Sequence, residues 1–429
     1  MWTWTITGLN NMPSTAEKED SVEKPRLRRD LQVVPLIYEE RRVIVFLDPF
    51  KLSGGDVALD AGLYPLLEKL NGRYDRPGLR DALADLRPDG APTLEEIDAL
   101  LARLDELFLL DSEQFQKKMQ ELRDEFHRNP DREPVFAGKA YSAEPDALRA
   151  WIKKLEEELP VPAGRSPGAT VTGLLAPHID TAVAGPVYVD VYRRIKAQRC
   201  DRVIVLGINH REQNGLYSVL NKGFLTPFGR IAPDRDFIES LTDGLPPGTL
   251  APDDFGHKVE HSIEFQTVFL RHYLGPSFAI VPVLCGGLQD IMNGDTSLLG
   301  DDRFRAMYER LNRLIADSDG RTLVIAAVDF SHIGFKFGHG TSADDLLPRA
   351  REQDRNILSL ITQGDAEEIY RVARDTGDPY NVCGLPAIIL FTLLMRKSTG
   401  ETLVHETYRE EATDSAVTYA SMMFERKGR

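Results

Sequence analysis

The texture of apolar and polar positions changes near residue 130. Before it, Val33 to Asp48 (VVPLIYEERRVIVFLD) reads as two short strands around a charged turn at Glu39–Arg42. An apolar-periodic helix is expected over Leu59 to Leu70, closed by the turn pair Asn71-Gly72, and a second over Pro77–Leu86. A third starts at Thr93, with Glu96 three residues on in capping-box spacing. Its stripe is Ile97, Leu100, Leu101, Leu104 and Leu107. A charged helix, Ser112 to Phe126, follows as a connector. After residue 130 strands alternate with helices, which predicts an α/β domain with a largely parallel or mixed central sheet flanked by helices. The expected central strands are Val171–Ala176, Val203–Ile208, Ala279–Leu284 and Leu323–Val328. Helices are expected at Val187–Ala197, His261–Tyr273, Phe304–Ala316 and Pro386–Met395, and DSAVTYAS reads as a final strand.

These patterns predict four segments. Residues 1–28 form a polar segment expected to be disordered. Residues 29–111 form a small α+β module with a β-β-α-α-α order like a winged helix, 112–130 a helical connector, and 131–429 the α/β domain. The 429 residues carry a net charge of −15, which repels phosphate backbones and anionic lipid, so neither nucleic acid nor a membrane surface is an expected partner. The third helix of the small module carries Glu95, Glu96, Asp98, Asp105 and Glu106 against a single Arg103, the wrong sign for a major-groove reader. Cys200, Cys285 and Cys383 are far apart and form no CxxC, and the N-terminal stretch lacks the basic start and long apolar centre of a signal peptide. A reducing, cytoplasmic location is therefore expected.

The α/β half stops its apolar runs on chemically active groups. The first ends in Pro177-His178-Ile179-Asp180, the second in Asn209-His210-Arg211-Glu212, the third in Cys285-Gly286-Gly287, and the fourth in Asp329-Phe330-Ser331-His332. In open α/β sheets the crevice beyond the carboxyl ends of the strands is where ligands bind. His261 and Glu264 share a face at the start of a further helix, after Glu260 and a loop containing His257, a candidate lid residue. An imidazole at a helix start is disfavoured as a cation, and the neutral form is the one that ligates metal. The expected site is mononuclear, with two or three imidazoles and an oxygen ligand, suited to Fe(II), Cu or Zn; open positions beside two His and a carboxylate favour iron. In this reading His178 and His210 hold the metal and His261 is a general base oriented by Glu264 or Glu260. Asp329 and His332 bind substrate or complete the shell. Cys285 is read as a soft ligand or a small packing residue, and Cys383 as packing. His127, His272 and His405 are read as surface or structural, and His339 as part of a loop.

Seven motifs in order, LLAPHID, VIVLGINHR, LTPFGRI, VEHSIEFQ, AAVDFSHIG, NVCGLPAI and DSAVTYAS, resemble the Memo family, known in microbes as AmmeMemoRadiSam system protein B. REPVFAGKAYSAEPDALRAWI resembles that family's start. The resemblance implies a fold similar to LigB-type, class III extradiol dioxygenases, and radical-SAM and AMMECR1-type partner proteins. It also implies metal-site positions at His178, His210 and Ser331, with His261 beside them. Some relatives carry Cys at the position taken here as Ser331, and serine is the poorer ligand. Asp329, His261 or His332 would then complete the shell, or the site would stand empty. Tyr419 and Asp414 lie near the family's pocket. The small module resembles PqqD-like domains, which recognise a peptide by strand addition. The expected function is a metal-dependent oxidoreductase acting on a small molecule or peptide. The alternatives are a non-catalytic ligand- or peptide-binding accessory protein and a Zn-dependent hydrolase.

Overall fold

The computed structural model describes residues 24–39, 41–84, 92–162, 169–196, 198–210, 215–294, 296–318 and 321–427. The expectation of disorder at residues 1–28 therefore falls mostly outside the described residues. Contacts divide the described chain into two units, 24–128 and 129–427.

In the first unit β1 (Gln32–Tyr38) pairs antiparallel with β2 (Arg41–Leu47), which pairs antiparallel with β3 (Val57–Asp60). Three helices follow, α1 (Tyr64–Lys69), α2 (Arg76–Ala84) and α3 (Leu94–Glu106). The third strand corrects the sequence reading, which placed Leu59 and Asp60 at a helix start. VALD alternates half-buried and exposed positions, the period of a strand on a half-buried sheet. The helix begins only after the short turn at Ala61–Leu63. At α3 the Thr93 side chain accepts from Glu96 N–H while the Glu96 carboxylate accepts from Thr93 N–H, the expected capping box. Ile44, Phe46, Leu66, Leu67, Leu79, Ile97 and Leu104 close a separate small core. Within this unit the buried Arg28 guanidinium grips Asp48 at 2.8 Å and 3.1 Å. The connector is α4 (Glu113–Arg128).

The second unit opens with β4 (Asp131–Arg132) and α5 (Pro145–Glu158). Among the described residues its main sheet has nine strands, and β4 pairs with Gly223–Phe224 apart from it. β5 (Ala169–Ala176), α6 (Thr181–Arg193), β6 (Arg202–Ile208), β7 (Tyr217–Val219), β8 (Gly223–Phe224), β9 (Ala232–Pro233) and α7 (Arg235–Thr242) come first. Next are α8 (His261–Leu274), β10 (Ala279–Cys285), α9 (Leu288–Met292), α10 (Asp302–Asp317), β11 (Thr322–Ala327) and β12 (His332–Gly334). The chain ends with α11 (Ala343–Gln363), α12 (Ala366–Thr376), α13 (Leu385–Met395), β13 (Thr399–Glu410) and β14 (Ser415–Lys427).

The four expected strands form the parallel centre, in the spatial order β5-β11-β6-β10. They are buried on both faces, which is why they read as continuous apolar runs. β14 adds antiparallel to β5 and carries β12 and β13, so the sheet is mixed. α6 starts six residues before its expected position, because Asp180 caps it and Pro186 is accommodated inside it. α13 is buried all round and lies against β11, β6 and β10, so its amino end reaches the carboxyl edge of the parallel strands.

Candidate metal centre

Register places the first groups. Ala176 of β5 lies opposite Ala327 of β11, so His178 and Asp329, each two residues further on, are level at the sheet edge. The His178 N–H donates to Asp329 Oδ1 at 3.0 Å. β6 flanks β11 on its other side and delivers His210 to the same edge. The His178 and His210 rings therefore meet above the end of β11, edge to face, with centroids 5.0 Å apart.

Helix α8 brings the third imidazole. Its first turn packs onto β6 at Gly207, where a Cβ would come within 2.6 Å of Ile263 and 2.7 Å of Ser262 Oγ. Only glycine permits that approach, and the Ser262 hydroxyl accepts the Ile208 N–H at 3.1 Å. Glu260 caps the helix by accepting from Ser262 N–H. The same carboxylate receives Nδ1–H of His210 at 3.1 Å and faces His261 Nδ1 at 3.3 Å. The His210 and His261 rings stack at 4.8 Å and 17° upon it.

These partners fix the tautomers, because a carboxylate or a carbonyl oxygen can only accept. His178 donates from Nδ1 to the Ala327 carbonyl at 2.9 Å, His332 donates from Nδ1 to the Phe330 carbonyl at 3.0 Å, and Glu260 holds the other two rings. His178 and His332 are left with the lone pair on Nε2. A second-sphere acceptor on the far nitrogen is the usual arrangement for a ligating histidine. Burial pushes the pKa of His178 down, partly opposed by Asp329, and burial does the same to His332, so both rings are neutral at pH 7. Burial works against ionisation of Glu260, yet His210, His261 and the hydrogen bonds hold its carboxyl well below the usual range.

The sulfur comes from a place the sequence reading assigned to packing. Cys383 lies two residues before α13, next to its N-cap Gly384, and its Sγ lies 3.4 Å from His178 Nε2. Ligand atoms of His178, His210 and Cys383 all lie within 4.8 Å of one another. A second such group, His210, Glu260 and His261, is explained by the shared acceptor just described. Burial, then Asp329, raises the Cys383 thiol well above its ordinary pKa, so without a cation it is protonated. The chain spacing, 205 residues, hid the pair. The only signal was that NVCG stops a loop at a helix start, as the histidines do.

Other expected residues lie elsewhere. Ser331, expected among the ligands, is fully buried, and its hydroxyl donates to Asp354 at 2.6 Å. Asp354 also takes the His405 ring at 3.2 Å, so this trio is a packed polar network in which the histidine does not touch the serine. Glu264, expected to orient His261, instead accepts from Arg132, from Val135 and Phe136 N–H, and from the Tyr141 hydroxyl. Glu260 holds the position beside His261. His257 is buried against the Ser218 carbonyl at 3.1 Å and cannot serve as a lid. Cys285 is fully buried in the main core, where burial raises its thiol pKa. Asp329 Oδ2 stands 3.5 Å from His178 Nε2. Arg211 and Glu212 lie outside the described residues. His332 faces the Phe337 ring at 4.9 Å, and His261 faces Phe136 at 5.8 Å, so the cleft has aromatic walls.

Fold and site together define an α/β protein whose mixed sheet gathers imidazoles, a carboxylate and a thiol at the carboxyl edge of its parallel strands. The chain belongs to the Memo family: the model for Memo-like protein matches residues 132–423. A MEMO1 family protein of Aquifex aeolicus is 32% identical over 405 residues, covering 94% of this chain and 100% of the relative. MEMO1 family proteins of Methanopyrus kandleri and Thermus thermophilus are 28% and 26% identical, covering 69% and 75% of this chain and 99% and 91% of their own length.

Proposed function

We propose that this protein binds one transition-metal ion through Nε2 of His178, Nε2 of His210 and Sγ of Cys383. The observation that carries the reading is the convergence of these three atoms within 4.8 Å, with both imidazoles already anchored through Nδ1. A donor set of two nitrogens and one sulfur suits a borderline or soft ion, copper or zinc, more than the iron expected from a purely His and carboxylate set. When bound, such an ion supplies a Lewis acid or a redox centre beside the cleft. The protein's own groups do the rest. Asp329 positions His178 through its N–H. His261, 31% exposed, is the imidazole placed to exchange a proton with a ligand in the cleft, with Glu260 beside its Nδ1. Phe136 sets an apolar ring against His261, and Phe337 one against His332.

Cobalt(II) titration tests the site. Wild-type protein is expected to take one equivalent and show a near-ultraviolet thiolate-to-cobalt band. His178→Ala and His210→Ala should abolish tight binding, and Cys383→Ser should remove the band. Full binding by both histidine variants would sink the assignment. Elemental analysis of protein purified anaerobically without a His tag then names the native ion: iron or copper supports the oxidoreductase reading, and zinc the hydrolase.

A further inference from the structure

Strand β14 does not stop where its partner does. Met422 lies opposite Leu175 of β5, so residues 415–420 run on past the carboxyl end of the parallel strands and wall one side of the cleft. On this stretch Val417 lies opposite His332 of β12 on one side and Tyr408 of β13 on the other, and Tyr419 lies opposite Glu406. Directly opposed residues share a face of a sheet, as do alternate residues of a strand. His332, Tyr408, Val417 and Tyr419 therefore stand on one face. That face turns to the site, since the Asp329 carboxylate acts on both His332 and Tyr419. Tyr419 is 7% exposed, yet its hydroxyl meets no hydrogen-bond partner among the described residues. Buried hydroxyls are ordinarily paired. Burial, then Glu406 and Asp329, raises the Tyr419 pKa, so at neutral pH the group is a donor in want of an acceptor. His332 gives its Nδ1–H to the Phe330 carbonyl and keeps an accepting Nε2.

We propose that Tyr419 and His332 bind an amide in the cleft, the phenol donating to its carbonyl oxygen and the imidazole accepting its N–H. The two residues are diagonal neighbours across the strand pair, about 7–8 Å apart. At that spacing two long side chains meet opposite edges of one planar group. Glu406 and Asp329 beside the hydroxyl disfavour a carboxylate or phosphate oxygen there. An amide is the uncharged group that brings a strong acceptor and a donor together. Val417 and Tyr408, the latter 37% exposed, continue the face outward and offer apolar surface to whatever carries the amide. A peptide bond and a small-molecule amide share this chemistry. The inference names the ligand class of the proposed metal site and rests on that reading for its reaction, but amide binding is read without any ion.

The test incorporates 3-fluorotyrosine at the 13 tyrosines and follows the fluorine resonances of the metal-free full chain, with Tyr419→Phe assigning its signal. N-Methylacetamide should shift the Tyr419 resonance saturably, and acetate at the same concentration should leave it in place. His332→Phe keeps an aromatic ring and removes the acceptor. It should weaken amide binding about 3- to 10-fold, the worth of one neutral hydrogen bond. His332→Gln restores an accepting oxygen and should recover most of that loss. Acetylglycine N-methylamide carries two peptide bonds: tighter binding than N-methylacetamide assigns the amide to a peptide, and equal binding to a small molecule. The proposal is overturned by the absence of a saturable shift with either amide, by an equal shift with acetate, or by full affinity in folded His332→Phe. The amide and acetate comparison on wild-type protein decides if that variant does not fold. A saturable amide shift in a protein that takes up no cobalt(II) would defeat the metal reading and leave amide binding standing.

Discussion

Asp378 has a positive φ of 48° and a half-hidden carboxyl that burial pushes up to about 6, against hydrogen bonds from Val382 N–H and the Gln353 side chain. An acid raised in the folded state favours folding while protonated, so stability is greatest below the unfolded pKa and is lost as pH rises from about 3.8 to 6. Asp378→Asn keeps an acceptor and tolerates the left-handed backbone. Urea unfolding should show it more stable by about 1–3 kcal/mol at pH 7 and near wild type at pH 4. His257 works in the opposite direction: burial lowers its pKa to about 4, so its stability contribution is lost as pH falls from about 6.5 towards 4. The acid side of the stability profile should flatten in His257→Gln by up to about 3 kcal/mol. At this scale His178, His210 and His332 stood out because each follows the end of an apolar run, and His261 because it opens a helix. Cys383 and Arg132 did not: a small thiol before glycine looks like packing, and one arginine among Asp131 and Glu133 looks like surface. Only their three-dimensional neighbours distinguish them.

Among elements, the parallel strands were readable because burial on both faces demands unbroken apolar runs. β3 and the start of α6 were misplaced where four residues fit two periods or where a proline was tolerated inside a helix. α13 shows what pattern reading omits, namely that a helix can deliver a site residue from its amino end. Gly384 makes this contact close, since a Cβ there would lie 2.7 Å from the Asp329 carbonyl oxygen and 2.7 Å from Val328 Cβ. Gly384→Ala must push the helix start away from β11. It should cost about 1–3 kcal/mol by thermal unfolding, the usual penalty for overpacking. It should also weaken cobalt(II) binding although it replaces no ligand. Wild-type affinity in a destabilised variant would show that Cys383 is positioned by other contacts.

Across the whole molecule, the family match begins at residue 132, and the Methanopyrus relative covers 69% of this chain with 99% of its own length. The α/β unit therefore matches a protein that stands alone elsewhere. A chain of residues 129–429 is expected to fold cooperatively and bind cobalt(II) as the full chain does; loss of binding on removing the first unit would give that unit a part in the site. Among the described residues no helix is long and apolar enough to cross a membrane. The division near residue 130 was visible as a change of texture, but the pairing of β14 beside β5 was not, since no local pattern announces which strands become neighbours.

The 205-residue separation between His178 and Cys383 also sets an order of events during synthesis. Both imidazoles leave the ribosome long before the thiol does, and the helix that presents the thiol packs on strands already made, β6, β10 and β11. A nascent chain halfway through translation owns two of the three converging donors and no geometry to use them. On the proposed metal reading, capture of the ion is thus postponed to a nearly finished protein.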